Sequence, residues 1–549
     1  MSTTTPDRVE TRASWLPLVV VVLTQIQASF AVNALTVSMA GITEDLDTPA
    51  TNIGTAITAS TFAMAAFILL GAKLGAKFGS RRVFQIAVVA HGLAMAGVML
   101  SANAGMLFVA QAASGVMISM ISPALTVFIA RNFSGRQQAQ AIGFLAAAIP
   151  AAGVLALLIA GTFAGTIGWR WSFALVVGLA VLNLLLSFRV PSVPAIVGVA
   201  IDWTGAIIAA VSIVLLSFGF SGLAPWGILF ATANAPFAIL GLSPAPLLVI
   251  LGLIGAQIFF AWLRKRKRDG KPQIFDLDVL KSGAERATTL CMATMLFIGT
   301  AANFLIPLYI QIVQGRSGLE TSFSIIPYTL SIFVANSVIA SLYDKFPPRL
   351  IAAGGFVVVA AALTLIAFTI RNEWTQALIV TGLILLGLGQ GAIVALVFNT
   401  LLSSAPKELA GDVGAWRGLV HNLAGSVGIA VATVFAVSVL SGTLQTEADR
   451  NPDIPPSLIE QVNFDNVNFL TNAQLEAALA ETTATPEQID AAVAINEDAR
   501  LLALKVSLLG LAGLALLAIV PALRMPGFSK DDLPERLSAG DPAPDVPRD

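Results

Sequence analysis

From Gly205 to Leu263 the chain carries no Asp, Glu, Lys or Arg, and shorter runs of the same kind recur along its length. A helix needs roughly 20 apolar residues to cross the hydrocarbon of a bilayer, where every backbone polar group must find its partner inside its own segment. Apolar runs bounded by charges or turn residues fall near 15–41, 52–72, 83–106, 107–130, 138–168, 171–190, 204–224, 243–263, 287–313, 322–342, 350–370, 376–402, 414–441 and 501–523. That is fourteen candidate spans in 549 residues. Composition agrees, since only 11% of residues are charged against about a quarter in soluble domains. A water-soluble fold of this length would lack the polar skin it needs.

The weakest assignment is the uncharged stretch itself, which Pro225, Pro236, Pro244 and Pro246 interrupt. Two helices joined by an apolar outer loop are expected there. Charge decides the count. With fourteen spans and an inner N-terminus, all of the 31 Lys+Arg except Arg170, Arg316, Arg371, Arg450, Arg500 and Lys505 lie on the inner side. Acidic residues divide evenly, as the positive-inside rule allows. An odd number of helices between 204 and 263 would move the cluster Arg264, Lys265, Arg266, Lys267 and Arg268 outside. That cluster reads first as an orientation signal and second as a lipid-recognition site.

The expected fold is all-α and polytopic. A tail (1–14) and a six-helix unit (15–190) precede two inserted helices with a basic inner linker (191–286). A second six-helix unit (287–523) and a final tail (524–549) follow, both tails on the cytoplasmic side of the cytoplasmic membrane. The polar segment 442–500 stands apart, with helix-forming stretches at 471–482 and 486–502 and Asn472 and Thr485 as candidate caps. It predicts either a small outer cap of short helices or a disordered segment.

Much chemistry is excluded at this level. A net charge of −1 leaves no basic excess for nucleic acid. One cysteine, Cys291, and two histidines, His91 and His421, leave no material for a disulfide, a metal cluster or a resident metal cofactor. No Walker sequence occurs, so ATP is not the expected energy source. The run Gly387-Leu388-Gly389-Gln390-Gly391 lies in an apolar span and reads as close helix packing rather than a nucleotide loop. No cofactor and no enzymatic activity are expected.

One internal repeat is visible. Ala72-Lys73-Leu74-Gly75-Ala76-Lys77-Phe78-Gly79-Ser80-Arg81 shares Ala, Leu, Lys, Phe and Arg in register with Ala340-Ser341-Leu342-Tyr343-Asp344-Lys345-Phe346-Pro347-Pro348-Arg349. Both segments follow a span on the inner side, as a duplicated six-helix unit requires. The first copy is similar to the major facilitator signature loop G-x-L-x-D-x-x-G-R-R, with Leu74, Gly79 and Arg81 in place and Arg82 following. The whole chain resembles the fourteen-helix branch containing the drug:proton antiporters. Further landmarks of that resemblance are Trp169-Arg170-Trp171, Ile201-Asp202-Trp203-Thr204-Gly205 and Leu308-Tyr309-Ile310-Gln311.

The resemblance implies two bundles moving by alternating access about a central cavity lined by the first span. It also exposes departures. Ala31 stands where that helix usually carries an aspartate, with Asn33 close by. Gln111 replaces an arginine of the fourth helix, and the antiport pattern of the fifth reads Ala156-Leu157-Leu158-Ile159-Ala160-Gly161.

Ionisable groups are costly in the hydrocarbon, about 2.5–3.5 kcal/mol at its centre, so those that occur there are candidates for function. Arg417 and His421, four apart, share a helix face. Gln25 and Asn33, eight apart in the first span, share another. Gln111, Asn303 and Gln390 complete the candidate substrate-binding set, and His91 reads as a core histidine. Lys73, Lys77, Gly79, Arg81 and Arg82 in one repeat, and Asp344, Lys345 and Arg349 in the other, form the candidate gate. The expected activity is secondary transport of a small, largely apolar or amphipathic molecule, in the outward direction; the alternatives are an uncoupled facilitator and a non-transporting sensor or partner-binding protein on the same fold. Protons are the candidate co-substrate. With no carboxylate left in the middle of the first bundle, transport is expected to be uncoupled from protons or coupled through His421.

Overall fold

A computed structural model describes residues 14–526 except 49, 197–198, 233–234, 317, 343–344, 373–375, 452–468, 470–471, 481 and 483. The N-terminal bundle comprises α1 (Leu16–Val37), a short α2 (Met39–Asp45), α3 (Ala50–Phe78), α4 (Ser80–Met99), α5 (Ala104–Asn132), α6 (Gly135–Leu155), α7 (Gly161–Thr166) and α8 (Arg170–Ser187). The inserted pair is α9 (Trp203–Trp226) and α10 (Pro244–Arg268). The C-terminal bundle holds α11 (Gly283–Leu308), α12 (Gly318–Leu342), α13 (Pro348–Thr369), α14 (Gln376–Ser404), α15 (Ala410–Arg450), α16 (Asn472–Ala480), α17 (Pro486–Leu517) and α18 (Ile519–Leu523). Among the described residues, thirteen helices or joined helices are long and apolar enough to cross a membrane, and α12 has a shorter apolar centre, Phe323–Asn336.

The uncharged stretch resolves into two helices, as the charge argument required. Asp202 fixes this pair from its base. Its carboxylate caps α9 by accepting from the Gly205 N–H (3.0 Å) and accepts from the Trp262 indole of α10 (3.0 Å), with Arg266 at 3.7 Å. Between the helices, Phe230, Ile239 and Leu242 form isolated antiparallel bridges that satisfy an apolar loop's backbone.

Three of the expected spans change shape. The third ends at Met99 rather than near 106, because Asn103 caps α5 through the Met106 N–H (2.9 Å). The thirteenth and fourteenth extend far beyond the apolar runs that announced them, α15 to Arg450 and α17 back to Pro486. Thr485 does cap α17, in a box with Gln488. Asn472 instead opens α16, where its side chain accepts from the guanidinium of the buried Arg500 (2.6 Å). Part of the outer segment is therefore a continuation of two spanning helices, and the buried Arg500 of α17 ties α16 to that continuation.

Two irregular turns coincide with landmarks of the sequence. Residues Ala156–Ala160, which occupy the fifth-span motif, wind as a π turn joining α6 to α7. Tyr309–Val313 do the same after α11. Such turns are rare and recur at functional sites.

Helix alternation brings Lys73, Lys77, Arg81, Arg82, Arg131, the 264–268 cluster and Arg349 to one end of the molecule, here called the basic end. The bundles meet where α15 packs on α3 and α5, and where α6 packs on α12 and α14. The inserted pair lies against α3 and α15, so it contacts both bundles.

Candidate functional site

The two bundles are held together at the basic end. Lys73 of α3 donates to Asp412 in the first turn of α15 at 2.8 Å, with side chains only 13% and 5% exposed. The Gln138 amide donates to the Ser403 hydroxyl across the α6–α14 contact (3.2 Å), and Arg131 faces Glu408 at 3.8 Å on the surface. Glycines let the backbones approach. A methyl added at Gly143 would overlap the Asn336 carbonyl, one at Gly414 would lie 2.5 Å from the Thr126 hydroxyl, and one at Gly418 would strike Ile68. Each of these six residues lies in the basic half of its helix or near mid-span. Small residues here are a packing requirement between two bodies.

The candidate gate is partly drawn together. Lys73 reaches across the seam, but to Asp412, which lies just ahead of the apolar run beginning near 414 and reads in sequence as an ordinary loop charge. Its signal was its place: a carboxylate five residues before Arg417 at the inner end of a span. Arg81 donates to the Phe188 carbonyl at the end of α8 (2.6 Å), and Ile196 donates to the Ala76 carbonyl (2.9 Å). The signature loop is thus anchored within its own half. Gly79 adopts φ +89°, and a side chain there would press on the Val193 carbonyl. Lys77, Arg82, Lys345 and Arg349 are exposed, and Asp344 lies outside the described residues.

The candidate binding residues fall into three groups near mid-span. Gln25 and Asn33 do share a face of α1, and both turn to Ser29, Gln25 donating to its hydroxyl (3.0 Å) and Asn33 to its carbonyl (2.7 Å). In the C-terminal bundle the Tyr328 hydroxyl donates to Gln390 (2.5 Å), with Asn303 as its second partner. Asn303 is exposed although it sits deep in a spanning helix. An amide at that depth is costly against lipid and cheap against a polar crevice.

The third group is on α15. Arg417 lies over the Phe398 ring at 4.7 Å, and His421, one turn on, opens into a crevice of about 330 Å³ with Thr61, Ser221, Thr300 and Ser426. Gln111 is buried in α5, its amide nitrogen without a partner among the described residues. Tyr328, one of only three tyrosines, was the connecting residue sequence reasoning missed.

His91 belongs elsewhere. It is fully buried, and its Nδ1 lies 2.9 Å from the Gln27 amide, whose oxygen accepts from Asn183 (2.8 Å). This network ties α1, α4 and α8 inside the N-terminal bundle and is remote from the seam.

The two bundles are thus joined at the basic end, with polar side chains near their middle. Comparison with known proteins agrees. The sequence profile of the Major Facilitator Superfamily matches residues 21–277 and 192–429. The chain is similar to the tetracenomycin C resistance and export protein of Streptomyces glaucescens, 23% identical over 86% of this chain and 83% of that protein. It is also similar to a puromycin resistance protein of Streptomyces alboniger, 24% identical over 78% and 83% of the two chains. Its fold matches that of the human organic anion transporter MFSD10 with a TM-score of 0.56 at 12% identity, covering 92% of this chain and 99% of that one. The chain is a member of the Major Facilitator Superfamily.

Proposed function

We propose that this protein exports a small, largely apolar or amphipathic molecule by alternating access between its two bundles. The observation that carries the reading is the seal at the basic end, made by the Lys73–Asp412 pair and the glycine contacts. With the basic end cytoplasmic, this is the outward-facing state, in which Gln25, Asn33, Asn303 and Gln390 are candidate contacts for the solute. Kinship with resistance and export proteins supports the direction and the solute class. Both termini then lie in the cytoplasm.

Lys73, Asp412 and the paired loops act as the inner gate. Solute binding would offset the cost of breaking a buried ion pair, which makes opening depend on occupancy. His421 is the group through which protons would couple, because it is titratable and faces a crevice; otherwise transport is uncoupled. The test is efflux from vesicles loaded with a panel of cationic, neutral and acidic amphipathic dyes. Export of at least one class, lost in Asn303→Ala together with Gln390→Ala, is expected. Failure of every class to move in either direction would overturn the proposal.

A further inference from the structure

The basic cluster at the end of α10 finds no role in the gate, yet an apolar cavity lies one helical turn inside it. This cavity holds about 610 Å³, within the range of small-molecule sites. It is bounded by the inserted pair on one side and α11 and α15 on the other, with Leu216, Phe259, Phe260, Phe297, Trp416 and Leu423 in its wall. Two of its three hydroxyls have partners already: Thr289 accepts from the Trp416 indole (3.3 Å) and Ser212 donates to the Ile208 carbonyl (2.6 Å). A ligand with its own polar groups at this depth would find little to bond.

We infer that this cavity takes one acyl chain of an anionic membrane phospholipid, whose phosphate is held by Arg264, Lys265 and Arg268. Register supports the pairing. Ala256 and Phe260 line the cavity at successive turns, and Arg264 continues the same face at the next turn. Arg264, Lys265 and Arg268 are exposed, while Lys267 is engaged by Asp278 (2.6 Å) and Arg266 by Asp202. The cations therefore stand just beyond the cavity mouth, and the five-residue cluster they belong to is of the size that attracts anionic lipid beside a span. Helix α10 is also the least buried of the thirteen long apolar helices among the described residues, only 17% within the protein, so the site adjoins lipid directly.

The inference stands apart from the export reading, since it concerns a resident lipid and not a transported solute. It does make α15 responsive to membrane composition, because the chain would press on Trp416 and Leu423 of the helix that carries Asp412.

The test is lipid retention by the purified full-length protein, measured by native mass spectrometry after exchange into phosphatidylglycerol or phosphatidylcholine. Wild type should keep one phosphatidylglycerol at least about tenfold more than phosphatidylcholine. The triple change Arg264→Gln, Lys265→Gln, Arg268→Gln should abolish that preference, and Ala256→Phe should lower retention of both lipids. Equal retention of the two lipids by wild type would overturn the inference without any variant being needed. So would a preference that survives the triple change, or displacement of the retained lipid by a compound that the protein exports.

Discussion

Replacing Asp412 by alanine leaves Lys73 buried without a counter-ion in one conformation only. In the closed basic end the two side chains are 13% and 5% exposed and 2.8 Å apart. Removing one partner of a buried pair costs about 3–5 kcal/mol, because the remaining charge stays desolvated. Lys73 keeps slight access to water, so the lower end of that range, about 3 kcal/mol, is the appropriate figure. Once the bundles part at this end, Lys73 is hydrated and the cost disappears.

At 1.4 kcal/mol per tenfold change, the population ratio of the two states should move about 100-fold toward opening at the basic end. Cysteine labelling reads this directly. The native Cys291 is fully buried and gives a silent background. Thr126, fully buried against Gly414 in the seam, is the reporter position. Thr126→Cys should resist maleimide in the parent and react roughly 100-fold faster with Asp412→Ala, by the same arithmetic. Adding Lys73→Met should restore protection, because no unpaired charge is then left to hydrate. Unchanged labelling in Asp412→Ala, or a double variant as open as the single, would refute the reasoning.

Three further expectations are open to measurement. Gly143→Ala drives a methyl into the Asn336 carbonyl across the seam; overpacking of this kind costs about 1–3 kcal/mol, and it should raise the same labelling rate while slowing export. His421→Gln should remove any dependence of transport on an imposed pH gradient, and strong dependence surviving that change would dismiss His421 as the coupling group. Asn472→Ala withdraws the carbonyl that accepts from buried Arg500. A hydrogen bond to a charged group is worth about 1.5–3 kcal/mol, so the thermal midpoint should fall by several degrees with the outer segment affected first, and a loss as large in Arg500→Met plus Asn472→Ala would argue against it.

The course of the chain through the membrane was fixed by composition, because hydrocarbon tolerates no unpaired backbone and few charges. That is why the candidate spans and the even count of helices across Gly205–Leu263 can be read from spacing and from the placement of Lys and Arg. Local caps were legible for the same reason: Thr485 and Gln488 need only neighbours three residues apart. What the sequence could not express is which residues meet between bundles. Lys73 was visible as a cation in a repeated loop, but its partner lies 339 positions away in α15, and no local pattern marks Asp412 as its counter-ion. Gln25 and Asn33 could be placed on one face of α1 from their spacing, whereas the link between Asn303 and Gln390 depends on Tyr328 of a third helix. The polar candidates of a spanning helix all look alike in sequence, since an amide in an apolar run signals only that some partner exists. Tertiary packing then assigns Gln27 to His91 inside one bundle and Gln390 to Tyr328 inside the other, and it leaves Lys73 and Asp412 facing each other where the bundles close.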